Sequence, residues 1–91
     1  MGESLTIENI KDATSFGIAL KRIRKQRKLS QAELARLLNM RQPTVSDIEN
    51  GRGTLDSVFK LIGALQINLV LSTNNKVQAS KVKQMLDAFE E

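Results

Sequence analysis

Residues 30–51, SQAELARLLNMRQPTVSDIENG, leave this chain little choice of local structure. Ser30 followed by Glu33 is a capping box. The Ser30 hydroxyl accepts from the Glu33 backbone N–H, and the Glu33 carboxylate reaches back to the Ser30 N–H. Behind the cap, Leu34, Ala35, Leu37 and Leu38 make the apolar stripe of a short buried helix. Asn39 falls where a sharply turning helix needs a residue at positive φ, and asparagine is the best substitute for glycine there. Met40 can then close over the core. Arg41, Gln42, Pro43 and Thr44 start a second helix, in which Pro43 is tolerated because first-turn N–H groups have no intrahelical partner to lose. Val45 and Ile48 face inward. Asn50-Gly51 is a stop signal, with Gly51 free to take the left-handed conformation.

Two such helices can be no more than part of a small bundle. The surface between their apolar positions points further. The second helix is expected to expose Arg41, Gln42, Thr44, Ser46 and Asp47, all short or forked hydrogen-bonding groups. A face that only solubilises would more often carry Glu and Lys, the better helix formers. Helix, tight turn and helix is also the geometry whose second helix enters the DNA major groove. In that setting Gln42 can bond adenine bidentately, and Arg41 can reach guanine or a phosphate. Pro43 and Thr44 can touch a thymine methyl, Ser46 is a permissive reader, and Asp47 can accept from cytosine N4. An acid near phosphates is costly, so Asp47 would act mainly by excluding other bases.

The segment resembles the Xre/Cro-type helix-turn-helix of phage repressors and bacterial regulators. The matching elements are Ser30-Gln31, Leu34-Ala35, Gln42, Val45-Ser46 and Ile48-Glu49-Asn50-Gly51. With flanking helices the resemblance spans Asp12 to Leu65. Asn39 departs from the usual glycine of that family and preserves the turn. The resemblance implies that Gln31, Asn50 and Arg52 contact phosphates, and that Arg24 pairs with Glu49 to tie the first helix to the reading helix. Ser30, Glu33, Asn39 and Gly51 are then structural.

On either side the pattern stays helical. A first helix is expected over Ala13 to Lys28, capped by Asp12, with Phe16, Leu20 and Ile23 on its core face. A fourth is expected over Leu55 to Leu65, capped by Thr54, with Leu55, Val58, Phe59, Ile62 and Leu65 facing inward. The net charge is +4, and residues 21–28, KRIRKQRK, hold most of the basic excess. Such a run suits a polyanion, with Lys28 a phosphate candidate. It is equally what a solvated helix end looks like, where cations meet the helix dipole favourably.

After the fourth helix, QINLVLS at 66–72 changes the period to two. Ile67, Leu69 and Leu71 alternate with Asn68, Val70 and Ser72. A lone strand leaves its N–H and C=O groups unpaired. Short of the Leu5-Thr6-Ile7 stretch, the remedy is the same strand from a second subunit across a two-fold axis. A buried helical extension is the competing reading. A helix-turn-helix domain followed by such a strand resembles the HipB antitoxins of bacterial toxin–antitoxin modules. That resemblance implies a homodimer closed by a β-lid, palindromic double-stranded operator DNA, autorepression of the operon and a HipA-like kinase toxin as partner. In the tail, Asn75 and Gln78 could form a capping box, with Val82, Met85, Leu86 and Phe89 on one helical face. That helix would dock on its own dimer or fold against a partner.

The expected fold is mainly α, a lambda-repressor-like bundle of four to five helices followed by a short strand and a tail able to form a helix. The expected divisions are 1–11 as an N-terminal extension, 12–65 as the DNA-binding domain, 66–73 as the dimerisation strand and 74–91 as the tail. The 91 residues include no cysteine and no histidine, which removes thiolate chemistry, His-based acid–base catalysis and the usual zinc sites. No nucleophile–base pair or phosphate loop appears, so no enzyme, metal or cofactor is expected. Nothing reads as a membrane span or signal peptide, and a cytoplasmic location follows. A stand-alone repressor without a toxin, and an interaction protein that keeps the motif only as a scaffold, are the alternatives.

Overall fold

The computed structural model describes residues 4–73 and Leu86. Four helices follow in order: α1 (Ala13–Gln26), α2 (Gln31–Leu37), α3 (Gln42–Glu49) and α4 (Leu55–Ala64). The starts obey the local rules. At α1, Asp12 accepts from the Ser15 N–H at 2.7 Å while Ser15 Oγ accepts from the Asp12 N–H at 3.1 Å. At α2, Ser30 and Glu33 make the reciprocal pair at 3.0 and 2.8 Å. At α4, Thr54 Oγ1 accepts from the Ser57 N–H. Hydrogen bonds from the capping serines, backbone N–H first, hold the Asp12 and Glu33 carboxyls below the ordinary carboxylate range.

All four helices end in the same device. Lys28, Asn39, Gly51 and Gln66 each sit at positive φ, at 60°, 53°, 87° and 55°. In each case that residue's N–H returns three residues and the next residue's N–H returns five, for example Asn39 to Arg36 and Met40 to Ala35. This is the Schellman closure, which satisfies carbonyls that a helix end would otherwise leave open. The residue after the turn is Leu29, Met40 or Ile67 in three of the four, and each packs half-buried against the core.

The core consists of Leu20, Leu34, Ala35, Val45, Ile48, Leu61, Ile62 and Leu65, with Phe16, Ile23, Leu38 and Val58 packed against it. α1 lies against α3, and α2 against α3 and α4. Gly17 makes the closest approach: a Cβ there would lie 2.5 Å from the Glu49 carbonyl oxygen.

The structure departs from expectation in several places. α1 ends two residues early, because Lys28 is the left-handed closing residue. Leu37 is 68% exposed rather than part of the α2 stripe. On α4 the buried face is turned: Leu61 is fully buried, while Leu55 and Phe59 are 71% and 49% exposed. Val58, Leu61, Ile62 and Leu65 satisfy the same helical spacing as the expected set, so periodicity could not choose between them. Leu55 instead lines an open groove with Phe16, Leu20 and Gly51. Residues 66–73 form no strand among the described residues. The physical reason is that none of the other described residues offers that segment a ladder partner. Ile67 is drawn into the closure of α4, while Leu69, Val70 and Leu71 lie exposed. The expected tail helix falls outside the described residues, save Leu86, which is helical and exposed.

Candidate nucleic-acid interface

α3 is the one helix of the four without a side-chain cap. Arg41 occupies the N-cap position and makes no capping bond, and Pro43 in the first turn has no N–H to satisfy. The end of a helix that would normally be sealed by its own side chains is therefore left open, with Arg41, Gln42 and Pro43 all exposed around it. At about 100° per residue, Pro43, Ser46, Asp47 and Asn50 stand opposite the buried Val45 and Ile48, with Gln42 and Thr44 on the flanks. Thr44 and Ser46 are half-buried rather than fully exposed as expected. The freely presented set is thus Arg41, Gln42, Pro43, Asp47 and Asn50.

Behind this face runs a chain of polar contacts. The Arg24 guanidinium donates from Nε to Glu49 Oε2 at 2.6 Å and from Nη2 to Oε1 at 3.2 Å, both residues being buried. Its Nη1 donates to the Leu29 carbonyl oxygen, tying the α1–α2 turn into the same cluster. A buried pair of this kind is tolerable only because fork geometry and added hydrogen bonds replace the lost water. Gln31 Nε2 donates to Glu49 Oε1 at 3.0 Å, and Gln42 Nε2 approaches Gln31 Oε1 at 3.5 Å. The structural pairing of Arg24 with Glu49 is thus present. Gln31, expected at a phosphate, is also the bridge between that pair and the first residue of α3. A glutamine amide has two N–H donors, so one remains beyond the bond to Glu49.

Arg52 follows the Gly51 turn and is exposed, its side chain making no ion pair among the described residues. Gly51 backs onto the first turn of α1, where a Cβ would come within 3.0 Å of the Thr14 backbone. The basic run 21–28 does not form one patch. Arg24 is buried, Arg27 donates to the Leu65 carbonyl oxygen, Lys28 closes α1, and Lys21, Arg22 and Lys25 stand exposed along α1. Sequence reasoning missed Gly17 and Arg27. A glycine inside a helical run costs about 1 kcal/mol against alanine, and that cost was the signal for Gly17. Nothing local marks Arg27, whose partner is 38 residues away.

A helix-turn-helix family model matches residues 20–71, more than half of the chain. The chain belongs to the helix-turn-helix family. Within that family it is similar to the antitoxin HipB of Escherichia coli strain K12, with 27% identity over 82 residues that span 88% of this chain and 93% of the relative. The HipB of E. coli O6:H1 is 28% identical over 71 residues, 76% of each chain. Among solved structures, HipB in a complex with the O4 20-mer superposes with a TM-score of 0.68 at 30% identity, over 76% of this chain and all of that one. HipB in a HipA–HipB–O2–O3 complex matches with the same TM-score at 28% identity and the same coverage. Four helices with the HipB-like arrangement are thus common to this chain and those structures. Among the described residues no helix is long and apolar enough to cross a membrane.

Proposed function

We propose that this chain is a HipB-like antitoxin and autorepressor that reads palindromic operator DNA as a homodimer and engages a HipA-like kinase toxin. The observation that carries the DNA reading is the open N-terminus of α3, held in place by the Arg24–Glu49–Gln31–Gln42 chain beneath it. Two subunits set their α3 helices about one DNA turn apart, roughly 34 Å, in successive major grooves. Gln42 and Arg41 read base edges, Pro43 and Thr44 give apolar contact, and Ser46 and Asp47 tune the choice. Gln31, Asn50, Arg52 and Lys28 hold phosphates and set the register. Residues 12–65 do the reading and 66–73 pair the subunits, through Ile67, Leu69 and Leu71. The protein works in the cytoplasm on the nucleoid and carries no catalytic step.

Gln42→Ala tests the reading. It should cost about 1–3 kcal/mol on the specific site and relax base preference at one position, with little change on random DNA. Equal losses on both DNAs would remove base reading from Gln42.

A further inference from the structure

Arg27 stands near the end of the basic run and is itself exposed, yet its guanidinium turns back onto the end of α4. Its Nε donates to the Leu65 carbonyl oxygen at 2.7 Å. Leu65 is the buried C-cap of α4. The chain then turns through Gln66 at φ 55°, and the Ile67 N–H returns to the Ile62 carbonyl at 3.0 Å. A cation at this end also suits the helix dipole. The exit of the chain from α4 is therefore closed from within and clamped from α1. α1 is in turn locked to α3, through Gly17 against the Ile48 and Glu49 carbonyls and through Arg24 on Glu49. A path of short contacts joins the reading helix to Leu65, the residue before segment 66–73. That segment presents Leu69, Val70 and Leu71 at 42%, 69% and 91% exposure, an apolar run that a single copy leaves in water.

We propose that Arg27 is a positioning residue that sets the half-site spacing this protein accepts. By holding the α4 exit against α1, it fixes the direction of the pairing segment relative to α3, and so the separation of the two reading helices. The inference rests on the DNA-reading homodimer proposed above. One inserted base pair displaces a half-site by about 3.4 Å and rotates it by about a tenth of a turn. A stiff connection rejects that change, whereas a loosened one accommodates it.

The test uses the full chain and DNA from its own upstream promoter, in native form and with one base pair inserted at or deleted from the palindrome centre. The readout is the ratio of affinities for native and altered spacing. Both affinities come from one protein sample, so a change in stability alone does not move the ratio. Arg27→Met keeps the alkyl stem and removes the donor, Arg27→Gln is a second variant should the first fold poorly, and Arg27→Lys retains a cationic donor. The ratio should fall about tenfold in Met and Gln, the factor a charged hydrogen bond carries, and Lys should restore most of it. Sedimentation should show the dimer intact. An unchanged ratio in intact Met and Gln dimers overturns the inference. Dissociation of both variants overturns it too, because Arg27 would then hold the subunits together rather than space them. If the wild type does not prefer its promoter over scrambled DNA, the DNA-reading proposal itself has failed, a result separate from either outcome for Arg27.

Discussion

At the ends of α1, α2 and α4 the chain turns through Lys28, Asn39 and Gln66 and lays an apolar residue, Leu29, Met40 or Ile67, back on the core. At the end of α3 it turns through Gly51 and sends Arg52 into solvent. The hydrogen bonding is the same at all four. What differs is how each end is held. A left-handed residue with a side chain is strained by about 1–2 kcal/mol, less for asparagine. The three apolar ends offset that strain by burying surface, at about 25 cal/mol per Å². The α3 end has no apolar residue to offer, so it uses glycine, and it is fastened from the side by Arg24 on Glu49. The helix read as DNA-facing is thus the one with neither a side-chain cap at its start nor an apolar residue closing its end, and a buried polar cluster fastens it from the side.

The largest effect should come from breaking that cluster. Removing one partner, as in Arg24→Met or Glu49→Leu, leaves a buried charge and should cost about 3–5 kcal/mol by urea unfolding. The double variant should recover much of this while losing operator binding, since Gln31 would lose its anchor. A double variant with full DNA affinity would show that the cluster does not position α3.

Next comes the exchange that separates the two kinds of helix end. Leu29→Ala should lower stability by about 1–2 kcal/mol, as befits a half-buried side chain. Arg52→Ala should change stability by less than about 0.5 kcal/mol but weaken binding to all DNA alike and reduce the salt slope by about one. An unchanged slope would take Arg52 out of the phosphate set.

A smaller contrast lies at the turning residues themselves. Gly51→Ala should destabilise by about 1–2 kcal/mol, from the left-handed φ and the crowded Thr14 backbone. Gln66→Gly should gain up to about 1 kcal/mol by relieving strain. Thermal unfolding of both would decide, and a loss at Gln66 would mean its side chain contributes more than the turn does.

The smallest effect is that of acid on the starts of α1 and α2. The Asp12 and Glu33 carboxyls are held below their unfolded values. Their contribution is therefore complete above the unfolded pKa and is lost as pH falls through the lower, folded one. Asp12→Asn and Glu33→Gln should flatten the acid limb of a Tm–pH curve, and an identical limb in both would contradict this.

Much of this was legible because its causes are local. The Ser30–Glu33 box, the turn at Asn39 and the stop at Gly51 follow from single side chains acting on neighbouring backbone, and all three stand as read. The Arg24–Glu49 pair came from family resemblance, because 25 residues separate the partners and no local rule joins them. The face of α4 was misjudged because two overlapping residue sets fit one period. Packing chose Leu61 over Phe59. Thr44 on the flank of α3 and Ser46 on its outer side are both half-buried, because packing rather than helical periodicity decides how much of each is covered. The strand expected at 66–72 needs a partner for its N–H and C=O groups, and none pairs with it among the described residues. Arg27 was hidden in a run of like residues, each of which meets a different fate.

The most direct test is fluorescence-anisotropy binding of the wild-type chain to its own upstream promoter and to scrambled DNA at about 150 mM salt. A preference of about a thousandfold or more for the promoter, the low end for specific regulators, is the expected result. Equal, weak binding to both DNAs would contradict the account, because α3 would then be presenting its open end to something other than a DNA sequence.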